Sequence, residues 1–247
     1  MKINRSQAKK AIRLNINKSL ASINCLVTGY DAFEHHTYNP SELIVNACPD
    51  EVMLSDAKTR VSLQRLVMPV CGERAWPKLK KLLNRMSMNK KPCLIIMFGL
   101  AAVRTNVELE RFALNIRDGN RKDNYGHVYH GEVVQAHAPD AIRTKAPIEK
   151  AIVYLKGKGF PAQISNFANT YVCNEVYFQA LNYFEKSRTK HCLSFVHLPL
   201  PNTYGKTLQE HGSKKTLHFA KGKKNQLEAM RLILLALVEF YSEYLLG

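Results

Sequence analysis

The sequence predicts an α/β protein: a single three-layer α/β/α domain with a mixed, mostly parallel central sheet. Three observations carry this. Short apolar runs of strand length, INCLVT (Ile23–Thr28), LIIMF (Leu94–Phe98) and LSFVHL (Leu193–Leu198), alternate with stretches of helical spacing, and apolar runs of this length suit strands buried on both faces. Two of these runs are followed at once by glycine (Gly29 and Gly99) and then by loops, the pattern of strands delivering chain to the carboxyl edge of a parallel sheet. No internal repeat and no linker divides the chain.

Each element follows from local chemistry. After Ile23–Thr28 comes the loop YDAFEHHTYNPS, and Pro40 behind Asn39 opens a helix through Cys48. Leu66–Val70 reads as a second strand, followed by a helix over Trp76–Met86 with Leu79, Leu82 and Leu83 on one face. Leu94–Phe98 is the third strand. Asn115–Pro139 is polar and turn-rich, a long surface excursion with room for a hairpin. Pro147–Leu155 is a helix with Gly157 and Gly159 beyond its end, and Phe160–Ser165 a short strand. From Asn174 onward, Val176, Tyr177, Ala180, Leu181 and Phe184 form one apolar helical stripe. Leu193–Leu198 is a strand stopped by prolines, Ser213–Asn225 a basic loop, and Gln226–Leu246 the closing helix.

Composition narrows the class. The chain has 247 residues and 46% hydrophobic content, enough for a core without disulfide staples. Residues 1–20 carry six Lys or Arg and no apolar segment, so they read as a basic N-terminal extension to a domain over 21–247, not as a secretory signal. The longest late apolar run, Leu232–Val238, is seven residues, too short to span a bilayer. Six scattered cysteines without a C-x-x-C pair argue against zinc ribbons and redox motifs, and for reduced thiols in a cytoplasmic protein. A formal net charge of +16 suits a polyanionic partner, but the basic residues are spread out and mostly lack interleaved aromatics, which fits solvated faces better than a nucleic-acid surface.

The residues that bear chemistry are Cys173, His197 and Glu110. A cysteine hydrolase needs a thiol, an imidazole to take its proton and a group to orient the imidazole. Cys173 stands just before the helix expected from Asn174, where the helix dipole and free N–H groups favour a thiolate. Read singly, it is equally a buried core thiol, His197 a satisfied strand histidine, and Glu110 one charge on a mixed helix face.

Taken together, four stretches resemble the pyroglutamyl-peptidase I (pyrrolidone-carboxylate peptidase) family of cysteine peptidases. LVTGYDAFEHHTYNPS is similar to that family's opening strand and loop, T-G-F-x-x-F before N-P-S. GLAAVRTNVELERFALN is similar to its glutamate segment, FPAQISNFANTYVCN to its nucleophile segment, and FVHLPLP to its F-x-H-x-P histidine segment. The resemblance covers roughly residues 23 to 245, with Glu, Cys and His in the family's order.

The resemblance implies a phosphorylase/hydrolase-like α/β/α fold and a peptidase that removes N-terminal pyroglutamate without metal or cofactor. It further implies Cys173 as nucleophile, His197 as base and Glu110 as the orienting group, with Phe33, Tyr30 and Tyr171 clamping the lactam ring. It also implies a homo-oligomer, tetramer or dimer. Four positions depart from the family. Asn169 replaces a glycine, a position asking for positive φ that Asn tolerates best. Phe167 replaces a small or polar residue, Glu108 a Ser or Thr, and Asn120, with Arg121 beside it, an arginine assigned to the oxyanion. Two other readings stay open at this point: an impaired relative that binds an acidic partner such as nucleic acid through its basic surface, and a different acyl hydrolase on the same scaffold.

Overall fold

The computed structural model describes residues 21–88, 91–187, 189–200 and 223–247, with side chains of the last segment from residue 227. The basic extension over 1–20 and all but the last three residues of the expected basic loop lie outside the described residues.

A seven-stranded sheet forms the middle layer, ordered β10-β5-β11-β4-β1-β3-β2. Its strands are β1 (Ala21–Tyr30), β2 (Glu51–Met53), β3 (Thr59–Met68), β4 (Cys93–Leu100), β5 (Val107–Glu110), β10 (Ala162–Ser165) and β11 (His191–Leu198). β3, β1, β4 and β11 run parallel, as do β5 and β10 with each other. The antiparallel steps are β5 against β11 and β2 against β3, which makes the sheet mixed as expected. Two small antiparallel pairs complete the strands: β6 (Phe112–Leu114) with β9 (Ala141–Arg143), and β7 (Arg117–Gly119) with β8 (Tyr129–Glu132).

The period-2 alternation of the central strands sorts their side chains to the two faces. Leu94, Ile96 and Phe98 of β4 pack with Ile23, Cys25 and Val27 of β1 in one core. That core is covered by α1 (Pro40–Asn46), α3 (Ile148–Gly157) and α5 (Lys223–Leu246). On the opposite face Cys93, Ile95 and Met97 meet Leu26 and Tyr30, under α2 (Gly72–Met88) and α4 (Val172–Glu185). With both faces buried, the strands carry no polar stripe, which is why they read as continuous apolar runs.

Several boundaries differ from expectation. β3 begins at Thr59, seven residues before the expected strand, because Arg60, Gln64 and Arg65 interrupt the apolar signal while Thr59, Val61 and Leu63 alternate inward. β2 carries too little apolar pattern to be read. Glu110 lies on a strand rather than a helix face: all four residues of β5 are buried between β10 and β11. α4 starts two residues before Asn174, and α5 three before Gln226. The expected helix from Pro40 forms with Asn39 as its cap, Oδ1 accepting the Ser41 N–H at 3.0 Å.

Gly29 and Gly99 do not end their strands. They lie inside β1 and β4 and permit close approach from outside the sheet. A Cβ on Gly29 would fall 2.6 Å from the Ser41 carbonyl oxygen of α1, and one on Gly99 would fall 2.8 Å from Cys173 Sγ. Both distances are far inside van der Waals contact.

Candidate active site

The carboxyl ends of β1, β4 and β11 open on a cavity of about 520 Å³. Cys173 reaches it as the second residue of α4, and it is the only one of the six free cysteines that is not fully buried. His197 reaches it from the end of β11, paired in register with Gly99. The bare face of Gly99 therefore receives the Cys173 sulfur beside the strand position that carries the imidazole.

Glu110 holds that imidazole. Its Oε1 lies 2.6 Å from His197 Nδ1, with the histidine 1% exposed and the glutamate fully buried. An ionised carboxylate only accepts, so the bond places the ring proton on Nδ1 and leaves Nε2 as acceptor. Burial works to raise the Glu110 carboxyl, but the hydrogen bond and charge of His197, with a hydrogen bond from Arg104, outweigh it and hold the group below the usual carboxylate range.

Arg104 is the residue the sequence analysis missed. Its Nη1 donates to Glu110 Oε1 at 2.6 Å, pairs closely with Glu108 and lies 3.4 Å from His197 Nδ1, while Nη2 donates to the Phe167 carbonyl at 3.0 Å. Glu108 and Glu110 are two apart on one strand and so share a face. One guanidinium thus joins both carboxylates, which accounts for the second acid at the Ser or Thr position. The only signal in sequence is an arginine in a loop six residues before a strand glutamate.

The supports are local. Asn174 Oδ1 accepts the Leu114 N–H at 2.8 Å and its Nδ2 donates to the carbonyls of Leu114 and Ile116, each at 2.9 Å, fastening the first turn of α4 to β6. Tyr177 Oη donates to the Glu110 carbonyl at 3.0 Å. Asn169 has φ +63°, so the turn before α4 takes the left-handed conformation the sequence led one to expect, at a residue that tolerates it.

The expected effect of the helix start on the thiol is reversed. Burial, joined by the negative charge of Glu110, pushes Cys173 up to about 12, against the opposing pull of Arg104 and of its own backbone N–H. At neutral pH the resting group is a thiol.

Tyr30, Phe33 and Tyr171 line the same cavity, with the Phe33 and Tyr171 rings 5.5 Å apart. The hydroxyls of Tyr30 and Tyr171 are buried without a hydrogen-bond partner among the described residues. Asn120 and Arg121 also line it; Arg121 is largely exposed and pairs with Glu34 at 3.3 Å. Phe167 is 49% exposed and its side chain is not part of the cavity lining, so the residue that suggested a reshaped pocket does not reach it.

The site therefore brings a thiol and an oriented imidazole to one pocket walled by aromatics, the residue types a cysteine hydrolase uses. The pyroglutamyl peptidase family model matches residues 23–216. The chain is 32% identical over 174 residues to the pyrrolidone-carboxylate peptidase of Thermococcus onnurineus, covering 70% of this chain and 82% of that one. It is 27% identical over 218 residues to pyrrolidone-carboxylate peptidase 1 of Saccharolobus solfataricus, covering 84% and 98%. Among solved structures, the pyrrolidone carboxyl peptidase of Thermococcus litoralis superposes with a TM-score of 0.70 at 25% identity, covering 89% of this chain and 95% of that one. That of Fervidobacterium islandicum gives 0.68 at 29%, covering 89% and 99%. The chain belongs to the pyroglutamyl peptidase family.

Proposed function

We propose that the protein is a cysteine exopeptidase that removes an N-terminal pyroglutamyl residue from peptides, with Cys173 as nucleophile, His197 as general base and acid, and Glu110 as the orienting group. The observation that carries the reading is the buried 2.6 Å contact between Glu110 and His197 Nδ1, on a histidine paired with the glycine that admits the Cys173 sulfur.

Cys173 attacks the carbonyl joining the pyroglutamyl ring to the next residue as His197 Nε2 takes the thiol proton. Because burial holds the thiol up at about 12, removal of the proton and formation of the C–S bond belong together. The imidazolium, stabilised by Glu110, then protonates the leaving amine. Water, deprotonated by the same imidazole, hydrolyses the thioester and releases pyroglutamate. The backbone N–H groups of the first turn of α4 are free of helical partners and supply donors to the oxyanion, with Asn120 and Arg121 on the facing wall.

A lactam in a dry pocket needs partners for its N–H and carbonyl, and each left unmatched costs about 1–3 kcal/mol. The unpartnered hydroxyls of Tyr30 and Tyr171 suit those roles, and Phe33 with the Tyr171 ring suits the flat faces. Six free cysteines support a reducing compartment, the cytoplasm. Among the described residues no helix is long and apolar enough to cross a membrane. Leu232, Tyr244 and Leu246 stay exposed on α5, which supports a homo-oligomer. Release of the dye from a pyroglutamyl chromogenic amide, absent in Cys173→Ala, is the expected result; no turnover by the reduced wild type would sink the assignment.

A further inference from the structure

A second cluster of thiol, imidazole and carboxylate stands behind the cavity wall. Cys71, just before α2, lies with its Sγ 3.9 Å from His127 Nδ1, and the same nitrogen lies 3.1 Å from Asp123 Oδ2. All three ligand atoms fall within 4.8 Å of one another. We propose that Cys71, Asp123 and His127 form a binding site for a divalent transition metal of the zinc class, with a fourth position open on the side of His127.

Four features favour a cation at this point. The first is separation: with metal–sulfur near 2.3 Å and metal–nitrogen or –oxygen near 2.0–2.1 Å, tetrahedral ligands stand roughly 3.3–3.6 Å apart, and the Cys71–His127 and His127–Asp123 separations straddle that range. Convergence is the second, since thiol and carboxylate both face one ring nitrogen, which has a single lone pair or a single proton to offer. Third, a thiolate, a carboxylate and a neutral imidazole sum to two negative charges, matched by one divalent ion, and the S, O and N set suits zinc or cobalt.

Preorganisation is the fourth feature. Asp123 Oδ1 already accepts the N–H groups of Tyr125 and His127 at 2.8 and 2.9 Å, which orients Oδ2 toward His127 Nδ1 and Cys71. The Asn124 N–H donates to the Val70 carbonyl at 3.0 Å, tying this turn to the Cys71 segment. The His127 side chain is 43% exposed while that of Asp123 is fully buried, so there is an entry path and a rigid anchor. Binding forms the metal–sulfur bond and releases the Cys71 thiol proton to solvent. Val70 and Arg121, neighbours of the ligands in sequence, line the substrate cavity, so the ion would clamp the wall without entering the reaction.

Cobalt(II) titration of the Cys173→Ala protein tests this, because that background removes the one thiol that is not buried. We expect one equivalent to bind with a thiolate-to-cobalt charge-transfer band in the near ultraviolet. Adding Cys71→Ser should abolish the band. Adding His127→Ala, a half-exposed change that spares the fold, should weaken binding at least tenfold. Failure of Cys173→Ala to develop the band, or the same band and affinity in all three folded proteins, would overturn the site and leave a hydrogen-bonded cluster only.

Discussion

The molecule holds the same three kinds of side chain twice, in two arrangements. At the cavity, Glu110 takes His197 Nδ1, and Cys173 lines the same cavity as the ring. Behind the wall, Cys71 and Asp123 both converge on His127 Nδ1. On the proposed readings, the first arrangement relays a proton and the second holds a metal ion. Burial separates them as well: His197 is 1% exposed and locked between strands, while the His127 side chain is 43% exposed on a turn. The clusters differ in how the groups are arranged around the ring, not in which residue types are present.

Removing the sulfur from each cluster gives the largest contrast. Cys173→Ala should lose all measurable turnover of a pyroglutamyl amide, whereas Cys71→Ala in metal-free buffer should keep its kcat/KM; equal losses would erase the distinction. Next, Glu110→Gln keeps the shape but offers the wrong partner to Nδ1, and kcat should fall by ~10⁴-fold, as for a triad whose tautomer is wrong. If kcat falls less than tenfold, Glu110 is not what orients the ring.

A smaller effect tests the substrate pocket. Tyr30→Phe removes one hydroxyl without changing the ring. A lost hydrogen bond of about 0.5–1.5 kcal/mol should raise KM for the pyroglutamyl amide by roughly two- to tenfold. An unchanged KM would mean that the hydroxyl does not meet the lactam.

The thiols also compare by pH. Burial pushes Cys173 up to about 12 and, aided by a hydrogen bond to Asp123, Cys71 up to about 11; burial alone pushes Cys93 up to about 11. Each folded value exceeds the unfolded value of 9.0, so each thiol's contribution is fully present below pH 9 and is lost as pH rises through the folded value. Each costs at most about 1.4 kcal/mol per pH unit. Urea midpoints should fall between pH 9 and 11, and less steeply once Cys71 or Cys173 is replaced. Alkylation of Cys173 by iodoacetamide should be slow at pH 6 and accelerate into the alkaline range; fast labelling at pH 6 would show the imidazole already holding the proton. The smallest expected effect is Asn169→Ala, which places an L side chain of low tolerance at φ +63° and should destabilise by ~1 kcal/mol, where Asn169→Gly should not.

Much of this was legible from local pattern. Central strands buried on both faces announce themselves as apolar runs, and Asn39 before Pro40 announces a helix, because both depend on neighbours in the chain. Asn169 was readable through the resemblance, because the family's glycine at that position asks for positive φ and Asn tolerates it. β3 was read only at its carboxyl end and β5 not at all, because Arg60 and Gln64 face solvent from β3 while Glu108 and Glu110 of β5 are buried through their pairing with Arg104.

The sequence by itself determined the layer architecture and the family through its four motifs, and it singled out Cys173, His197 and Glu110 as candidates. Only the tertiary structure decided how they meet. Local helix chemistry argued for a low thiol pKa at Cys173, but burial beside Glu110 reversed its sign. Arg104 joined Glu108 to Glu110 only once β5 was a strand, and Cys71 met Asp123 and His127 only once the long excursion folded back on the start of α2. Desolvation and long-range pairing are properties of the assembled core, and no spacing along the chain encodes them.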